Sequence, residues 1–176
     1  MTRRYSTFFA MIGTSSVLMF VMMYLNTWAV DHVRFSETRL YMTGIMAATM
    51  TVVMLGFMWS MYDDIRVKVG IVVGAAALFG VSLLLVRSQA NVSDSAYMRG
   101  MIPHHSIAIL TSERTDFEDR RVRELARGIV EAQRREIKEM SWLLNDIRDN
   151  GPVTTESEMG RRPVPSFDAA PRTAAR

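Results

Sequence analysis

The sequence predicts an all-α protein of three transmembrane helices followed by a two-helix hairpin. Three long runs without Asp, Glu, Lys or Arg occupy residues 5–30, 40–62 and 69–86. From Ser88 a charged, amphipathic pattern continues to residue 150, and the apolar periodicity then ends among prolines. We therefore divide the 176 residues into a membrane anchor (1–87), a soluble helical hairpin (88–150) and a disordered tail (151–176).

Each uncharged run is long enough to cross a bilayer as a helix, since a hydrocarbon core of about 30 Å needs roughly 20 apolar residues. The first run is longer than the apolar part of a signal peptide, and no small-x-small cleavage motif closes it. We expect it to remain as an anchor. The chain is therefore expected to be a multi-pass protein of the cell membrane, with the lipid bilayer as its first partner.

Positive charges indicate the orientation of the three spans. One side carries four basic residues and the other carries three, and the more basic side is usually cytoplasmic. The four are Arg3, Arg4, Arg66 and Lys68, against Arg34, Arg39 and Arg87. With a cytoplasmic N-terminus and three spans, the C-terminal hairpin is expected outside the cytoplasm.

Methionine is over-represented, with 15 residues, and the second span carries one about every four positions. These residues are Met42, Met46, Met50, Met54, Met58 and Met61. A thioether ladder for Cu(I) is one interpretation. The favoured one is flexible apolar packing, because no His or acidic residue joins the stripe. His32, beside Asp31, is interpreted as a solvated loop residue.

Composition excludes several classes of function. The chain has no cysteine, which excludes disulfides, thiolate metal sites and Cys nucleophiles. The formal charge of +3 comes from mixed acidic and basic residues, so nucleic acid is not an expected partner. No nucleophile elbow, phosphate loop, dinucleotide motif or paired Glu-x-x-His motif occurs. We therefore expect a protein that is not an enzyme.

Helix signals delimit the hairpin. Ser93 is expected to cap a helix from Asp94 to about Arg114, with Pro103 either kinking it or starting a new helix. A second helix runs from about Asp119 to residue 150 and is closed by Gly151. Its apolar stripe consists of Val122, Leu125, Ala126, Ile129, Ile137, Met140, Leu143, Leu144 and Ile147.

Two polar residues, Gln133 and Glu136, interrupt this stripe. On the first helix, one face carries Tyr97, Met98, Met101, His105, Ala108 and Ile109, with His104 at its edge. Ser106 is expected to point away. Antiparallel packing of the two faces brings the histidines towards the Gln133–Met140 region. Two helices make a thin core, so the hairpin is expected to dimerise into a four-helix bundle.

Three interpretations of this face remain open. Met98, Met101, His104 and His105, assisted by Met140, form a candidate metal site for copper, with Gln133 and Glu136 in supporting positions. Alternatively, the histidines, Gln133 and Glu136 form a buried hydrogen-bonded network in a protein-interaction or oligomerisation module. A pH-responsive His105–Glu136 pair is a third hypothesis.

The segments YMRGMIPHH (97–105) and EAQRREIKEMSW (131–142) resemble domain-of-unknown-function family 305, specifically a membrane-anchored subgroup. The shared positions are Met98, Met101, Ile102, Pro103, His104 and His105, then Ala126, Ile129, Gln133, Glu136, Ile137 and Met140. The resemblance implies a ferritin-like helical fold and an extracytoplasmic bacterial location. Some soluble relatives are described as copper-binding, which implies Met98, Met101, His104, His105 and Met140 as ligands and a metal-handling partner protein.

Overall fold

The structure is a computed structural model that describes residues 3–167; within them it contains six α-helices and no strand. The helices are α1 (Arg3–Met22), α2 (Glu37–Phe57), α3 (Ile65–Ser88), α4 (Asp94–Arg114), α5 (Arg120–Asn150) and α6 (Glu156–Arg161). The prediction of an all-α fold is confirmed, whereas dimerisation stays a prediction. The chain divides into two compact units, one containing α1–α3 and one containing α4–α6 with residues 26–35.

In the first unit, α1, α2 and α3 are each long and apolar enough to cross a membrane. Their bounds differ from the predicted spans most clearly at the first, because α1 ends at Met22 rather than near residue 30. The run that follows, from Tyr24 to Val30, is uncharged but rich in polar and interfacial side chains. The absence of charged residues therefore located the apolar run correctly, but it placed the end of the helix too late in the sequence.

Aromatic and aliphatic side chains form the core of this unit. Its buried residues are Tyr5, Phe8, Ile12, Leu55, Tyr62 and Ile71. The rings of Tyr5 and Tyr62 lie 4.9 Å apart, centroid to centroid. Three residues of the methionine stripe, Met50, Met54 and Met58, pack against this core. These contacts support the packing interpretation of the stripe.

Helices α2 and α3 approach each other closely at a glycine. A Cβ atom placed on Gly44 would lie 2.5 Å from Oγ of Ser82, which is shorter than real Cβ contacts. Ser82 is itself buried, as is Thr43 beside the glycine. The absence of a side chain at residue 44 therefore permits this helix contact.

In the second unit, α4 and α5 pack together as the predicted hairpin. The predicted caps are confirmed: the side chains of Ser93 and Asp119 accept hydrogen bonds from the first turns of α4 and α5, and Gly151 ends α5. Helix α4 passes through Pro103 without interruption. The core of the hairpin consists of Ile102, Ile109, Val130 and Ile137, with Met140 and Leu144 packed against it.

The segment after Gly151, predicted to be disordered, contains α6, which is capped by Thr155. The guanidinium of Arg162, just after α6, lies 2.9 Å from a carboxylate oxygen of Asp146 on α5. The disorder prediction is therefore wrong for this part of the tail, because an ion pair and a cap order a segment that has no apolar periodicity. The remainder of the predicted tail, residues 168–176, lies outside the described residues.

Candidate metal-binding face of the helical hairpin

His105 and Glu136 face each other across the hairpin. Nδ1 of His105 lies 3.1 Å from Oε2 of Glu136, with the histidine side chain 14% exposed and the glutamate side chain 39% exposed. The two side chains belong to α4 and α5, so the contact fixes the register of the antiparallel pair. The predicted convergence of the histidine segment with the Gln133–Met140 region is thus present for these two residues.

This register places two methionines one turn further along. Met101 precedes His105 by four residues on α4, and Met140 follows Glu136 by four residues on α5. Residues four apart share a helix face, and the helices are antiparallel, so both methionines lie towards the same end of the hairpin. Met140 packs against the core that contains Ile102, the neighbour of Met101. One face of the hairpin therefore carries the pair His105 and Glu136 and, one helical turn further along, Met101 and Met140.

The two other predicted ligands have different surroundings. Met98 is buried, one turn before Met101 on α4. His104 is exposed, and its ring centroid lies 6.0 Å from that of His105. His104 therefore borders the face from the solvent side, whereas Met98 is buried.

Burial alters the acid–base behaviour of His105. Desolvation lowers the pKa of the imidazole, and the positive charge of a protonated His104 lowers it further, while the Glu136 carboxylate acts in the opposite direction. The loss of hydration has the largest influence, so the neutral ring is favoured. Neutral imidazole is the form that binds metals.

Two buried polar atoms on this face lack a hydrogen-bond partner among residues 3–167. One is Nδ1 of His105, which is within ion-pair distance of Glu136 but off the line of a well-formed hydrogen bond. The other is Oε1 of Gln133, one turn before Glu136. Buried polar atoms are normally satisfied, so Oε1 of Gln133 has unused capacity for a donor or a cation.

These residues fit a soft metal ion better than a hard one. Within the described part of the chain, no three His, Asp or Glu side chains converge in a way that could hold a metal. A site here would need thioether sulfur from Met101 or Met140 beside the imidazole of His105. Thioether and imidazole together favour copper, in particular Cu(I).

A second polar contact on α4 was not predicted from the sequence. Ser106, expected to point away from the His105 face, is fully buried. Its Oγ accepts a hydrogen bond from the backbone N–H of Trp28 at 2.7 Å and lies 2.8 Å from Nδ1 of His32. The interpretation of His32 as a solvated loop residue is therefore wrong. Residues 26–35 pack on the hairpin through Ser106, a contact that no helical periodicity signals.

Part of the predicted apolar face is also exposed. Tyr97 on α4 and Val122, Leu125 and Ile129 on α5 are open to solvent, whereas Val130, which the stripe omitted, is buried. The buried residues of α5 are Ala126 and Ile137, which belong to the predicted stripe, and Val130, which lies beside it. The apolar surface of α5 is therefore wider than the surface that α4 covers.

Comparison with known protein families finds one family model that covers the hairpin of α4 and α5. The family model described as "Domain of unknown function (DUF305)" matches residues 85–170. "Uncharacterized protein L153" of Acanthamoeba polyphaga mimivirus is 32% identical over 146 residues, which cover 78% of this chain and 93% of that protein. No solved structure matches. Membership of a membrane-anchored subgroup stays a prediction. The chain belongs to the DUF305 family.

Proposed function

We propose that this protein binds or buffers copper at the membrane surface, on the hairpin face of Met98, Met101, His104, His105 and Met140, without catalytic turnover. The observation that carries the proposal is the 3.1 Å contact between Nδ1 of His105 and Oε2 of Glu136. In metal sites, a ligating histidine commonly directs its second ring nitrogen to a carboxylate. Glu136 thereby leaves Nε2 of His105 available for the metal.

The surroundings of His105 favour this role. Its lowered pKa keeps the ring neutral near pH 7, so no proton has to be displaced from the coordinating nitrogen. Met101 and Met140 supply thioethers from the facing helices one turn away. Gln133 and Glu136 support the ligands from α5. A bound Cu(I) ion would accept thioether and imidazole ligands from both helices and so would join α4 to α5.

The proposal places the hairpin outside the cytoplasm, as the four-to-three distribution of basic residues suggests. A methionine-based site suits an oxidising compartment, since it has no thiolate to oxidise. The lipid bilayer would hold the site at the membrane surface through α1–α3. A separate metal-handling protein would deliver or accept the ion.

A second candidate function is oligomerisation or docking of another protein. Val122, Leu125 and Ile129 form an exposed apolar stripe along α5, and Leu125 is 65% exposed. A homodimer that covered this stripe would complete a four-helix bundle, and Gln133, Glu136 and the histidines would then set its register. If so, the oligomeric mass should fall on Leu125→Glu, and neither copper nor a chelator should change the mass or the melting temperature.

Competition titration tests the copper proposal. The full-length protein in detergent is titrated with Cu(I) against a coloured chelator, beside the double variant Met101→Leu/Met140→Leu. Leucine conserves volume and packing at little cost, so the variant removes thioether sulfur from a folded hairpin. We expect one Cu(I) per chain, bound more tightly than micromolar, and at least a tenfold loss of affinity in the variant.

Two control variants test whether the titration reports binding at the proposed site. Met159→Leu removes an exposed thioether from α6 and should leave the affinity unchanged. His104→Gln/His105→Gln should abolish the site. Equal affinity in the wild type, the Met101/Met140 variant and the histidine variant would refute copper binding on this face.

A further inference from the structure

A cavity of about 600 Å³ lies between the 26–35 segment and the α4–α5 hairpin, within the second unit. Trp28, His32 and Arg34 line it from the segment, and Arg134 and Lys138 line it from α5. The two hydrogen bonds to the buried Oγ of Ser106 hold the segment against the hairpin. We name this cavity the cationic pocket.

Positive charge dominates the polar lining. Among residues 3–167, the pocket is lined by three permanent cations, Arg34, Arg134 and Lys138, against one carboxylate, Asp31. Arg134 is paired with Glu113, on the adjacent helix. The side chains of Arg34 and Lys138 form no ion pair or hydrogen bond with any residue in the described range 3–167, so both are free to bind an anion from solution.

The rest of the lining is apolar and aromatic. The indole of Trp28 lies beneath the guanidinium of Arg134, 5.9 Å from ring centroid to Cζ. Ile109, Ile137 and Phe167 complete the walls. A ligand that fits must therefore combine an anionic group with an apolar or aromatic part.

The position of the segment in the sequence indicates where such a ligand would be found. It connects α1, which ends at Met22, to α2, which begins at Glu37, and both helices are apolar enough to cross a membrane. Arg34 precedes α2 by three residues, a span of at most about 10 Å of extended chain. Long basic side chains near the end of a transmembrane helix reach the membrane interface, where the lipid phosphates lie.

We propose that the cationic pocket binds a phosphate ester that carries an apolar group. The guanidinium of Arg34 and the ammonium of Lys138 hold the phosphate oxygens, and Arg134 with Trp28 forms the wall beside its substituent. The phosphate belongs either to the headgroup of an anionic lipid or to a soluble ester. The proposal is independent of copper binding, since none of the candidate copper ligands lines the pocket.

Two measurements on the full-length protein in nanodiscs test this proposal and distinguish the sources. In phosphatidylcholine nanodiscs, phenyl phosphate is titrated by calorimetry, with phenol as the ligand lacking phosphate. In nanodiscs that also contain phosphatidylglycerol, native mass spectrometry counts the phosphatidylglycerol molecules retained after release of the protein. Binding in the first measurement identifies a soluble ester as a ligand, and retention in the second identifies a lipid headgroup.

A matched pair of variants separates the pocket from general electrostatics. Arg34→Gln/Lys138→Gln removes two charges from the pocket, and Arg114→Gln/Arg120→Gln removes two exposed charges at the turn between α4 and α5. We expect the pocket pair to weaken phenyl phosphate binding at least tenfold or to abolish lipid retention, and the turn pair to change either by less than twofold. Equal effects of the two pairs, or no binding in either measurement, would overturn the proposal.

Discussion

Nδ1 of His32 lies 2.8 Å from Oγ of Ser106, although 74 residues separate the two in sequence. The same oxygen accepts the backbone N–H of Trp28. One buried hydroxyl on α4 therefore satisfies two polar groups of the segment that connects α1 to α2. This arrangement holds that segment on the hairpin and shapes the cationic pocket.

Ser106→Ala should release the segment. It leaves the Trp28 N–H and His32 Nδ1 without their partner, and an unsatisfied buried group costs about 1–3 kcal/mol. We expect a lower melting temperature and faster hydrogen exchange at the Trp28 amide. Ser112→Ala is the control, because the hydroxyl of Ser112 makes no hydrogen bond within residues 3–167. Unchanged exchange at Trp28 in Ser106→Ala would show that the hydroxyl does not hold the segment.

Acid should destabilise the hairpin through His105. Desolvation lowers the pKa of this imidazole in the folded protein, so below about pH 6.5 the unfolded chain binds more protons than the folded one. The stability contributed by neutral His105 is fully present above about pH 6.5. It is lost as the pH falls towards the lowered pKa. Melting temperatures at pH 7.5 and 5.5 should differ more in the wild type than in His105→Gln, and equal differences would contradict this account.

Glu136→Gln should lower the pKa of His105 further. The carboxylate is the group that raises this pKa against desolvation, and glutamine keeps the shape of the side chain without its charge. Titration of the His105 ring proton by NMR measures the change. Glu139→Gln, one turn towards the C-terminus of α5, should leave the His105 pKa close to that of the wild type. A rise of the pKa in Glu136→Gln would refute the assigned contact.

Gly44→Ala should weaken the packing of α2 on α3. Its Cβ would lie 2.5 Å from Oγ and 3.4 Å from Cβ of Ser82, so the hydroxyl must rotate or the helices must shift apart. Gly56→Ala meets nothing within 4 Å and gains helix propensity, so its melting temperature should stay level or rise. Adding Ser82→Ala to Gly44→Ala removes the clashing oxygen and should restore much of the loss. Equal melting temperatures for both single variants would contradict this close approach.

Local signals in the sequence predicted most of the fold. The helix ends are marked by Ser93, Asp119 and Gly151 through hydrogen bonds to residues within one turn. A short stretch of sequence is therefore enough to predict them. The periodicity of α4 and α5, together with the length of the turn, was enough to bring His105 and Glu136 together. The helix caps and the helical periodicity both depend on short-range geometry.

Contacts between distant parts of the chain could not be predicted in this way. Ser106 contacts a non-helical segment, so neither partner belongs to a repeating pattern that would identify the other. The residues that follow the end of α1 at Met22 likewise make contacts with residues distant in sequence. There, the hydroxyl of Tyr24 accepts a hydrogen bond from the backbone N–H of Ser36, and the guanidinium of Arg39 lies over the Tyr24 ring.

The most direct test of the copper account identifies which nitrogen of His105 meets the metal. The ring nitrogens of the full-length protein are labelled with ¹⁵N, assigned with His32→Gln, His104→Gln and His105→Gln, and recorded with and without one equivalent of Cu(I). The account predicts that Nδ1 remains protonated towards Glu136 and that the Nε2 resonance shifts on copper addition. A shift confined to Nδ1, or no change in either nitrogen of His105, would contradict it.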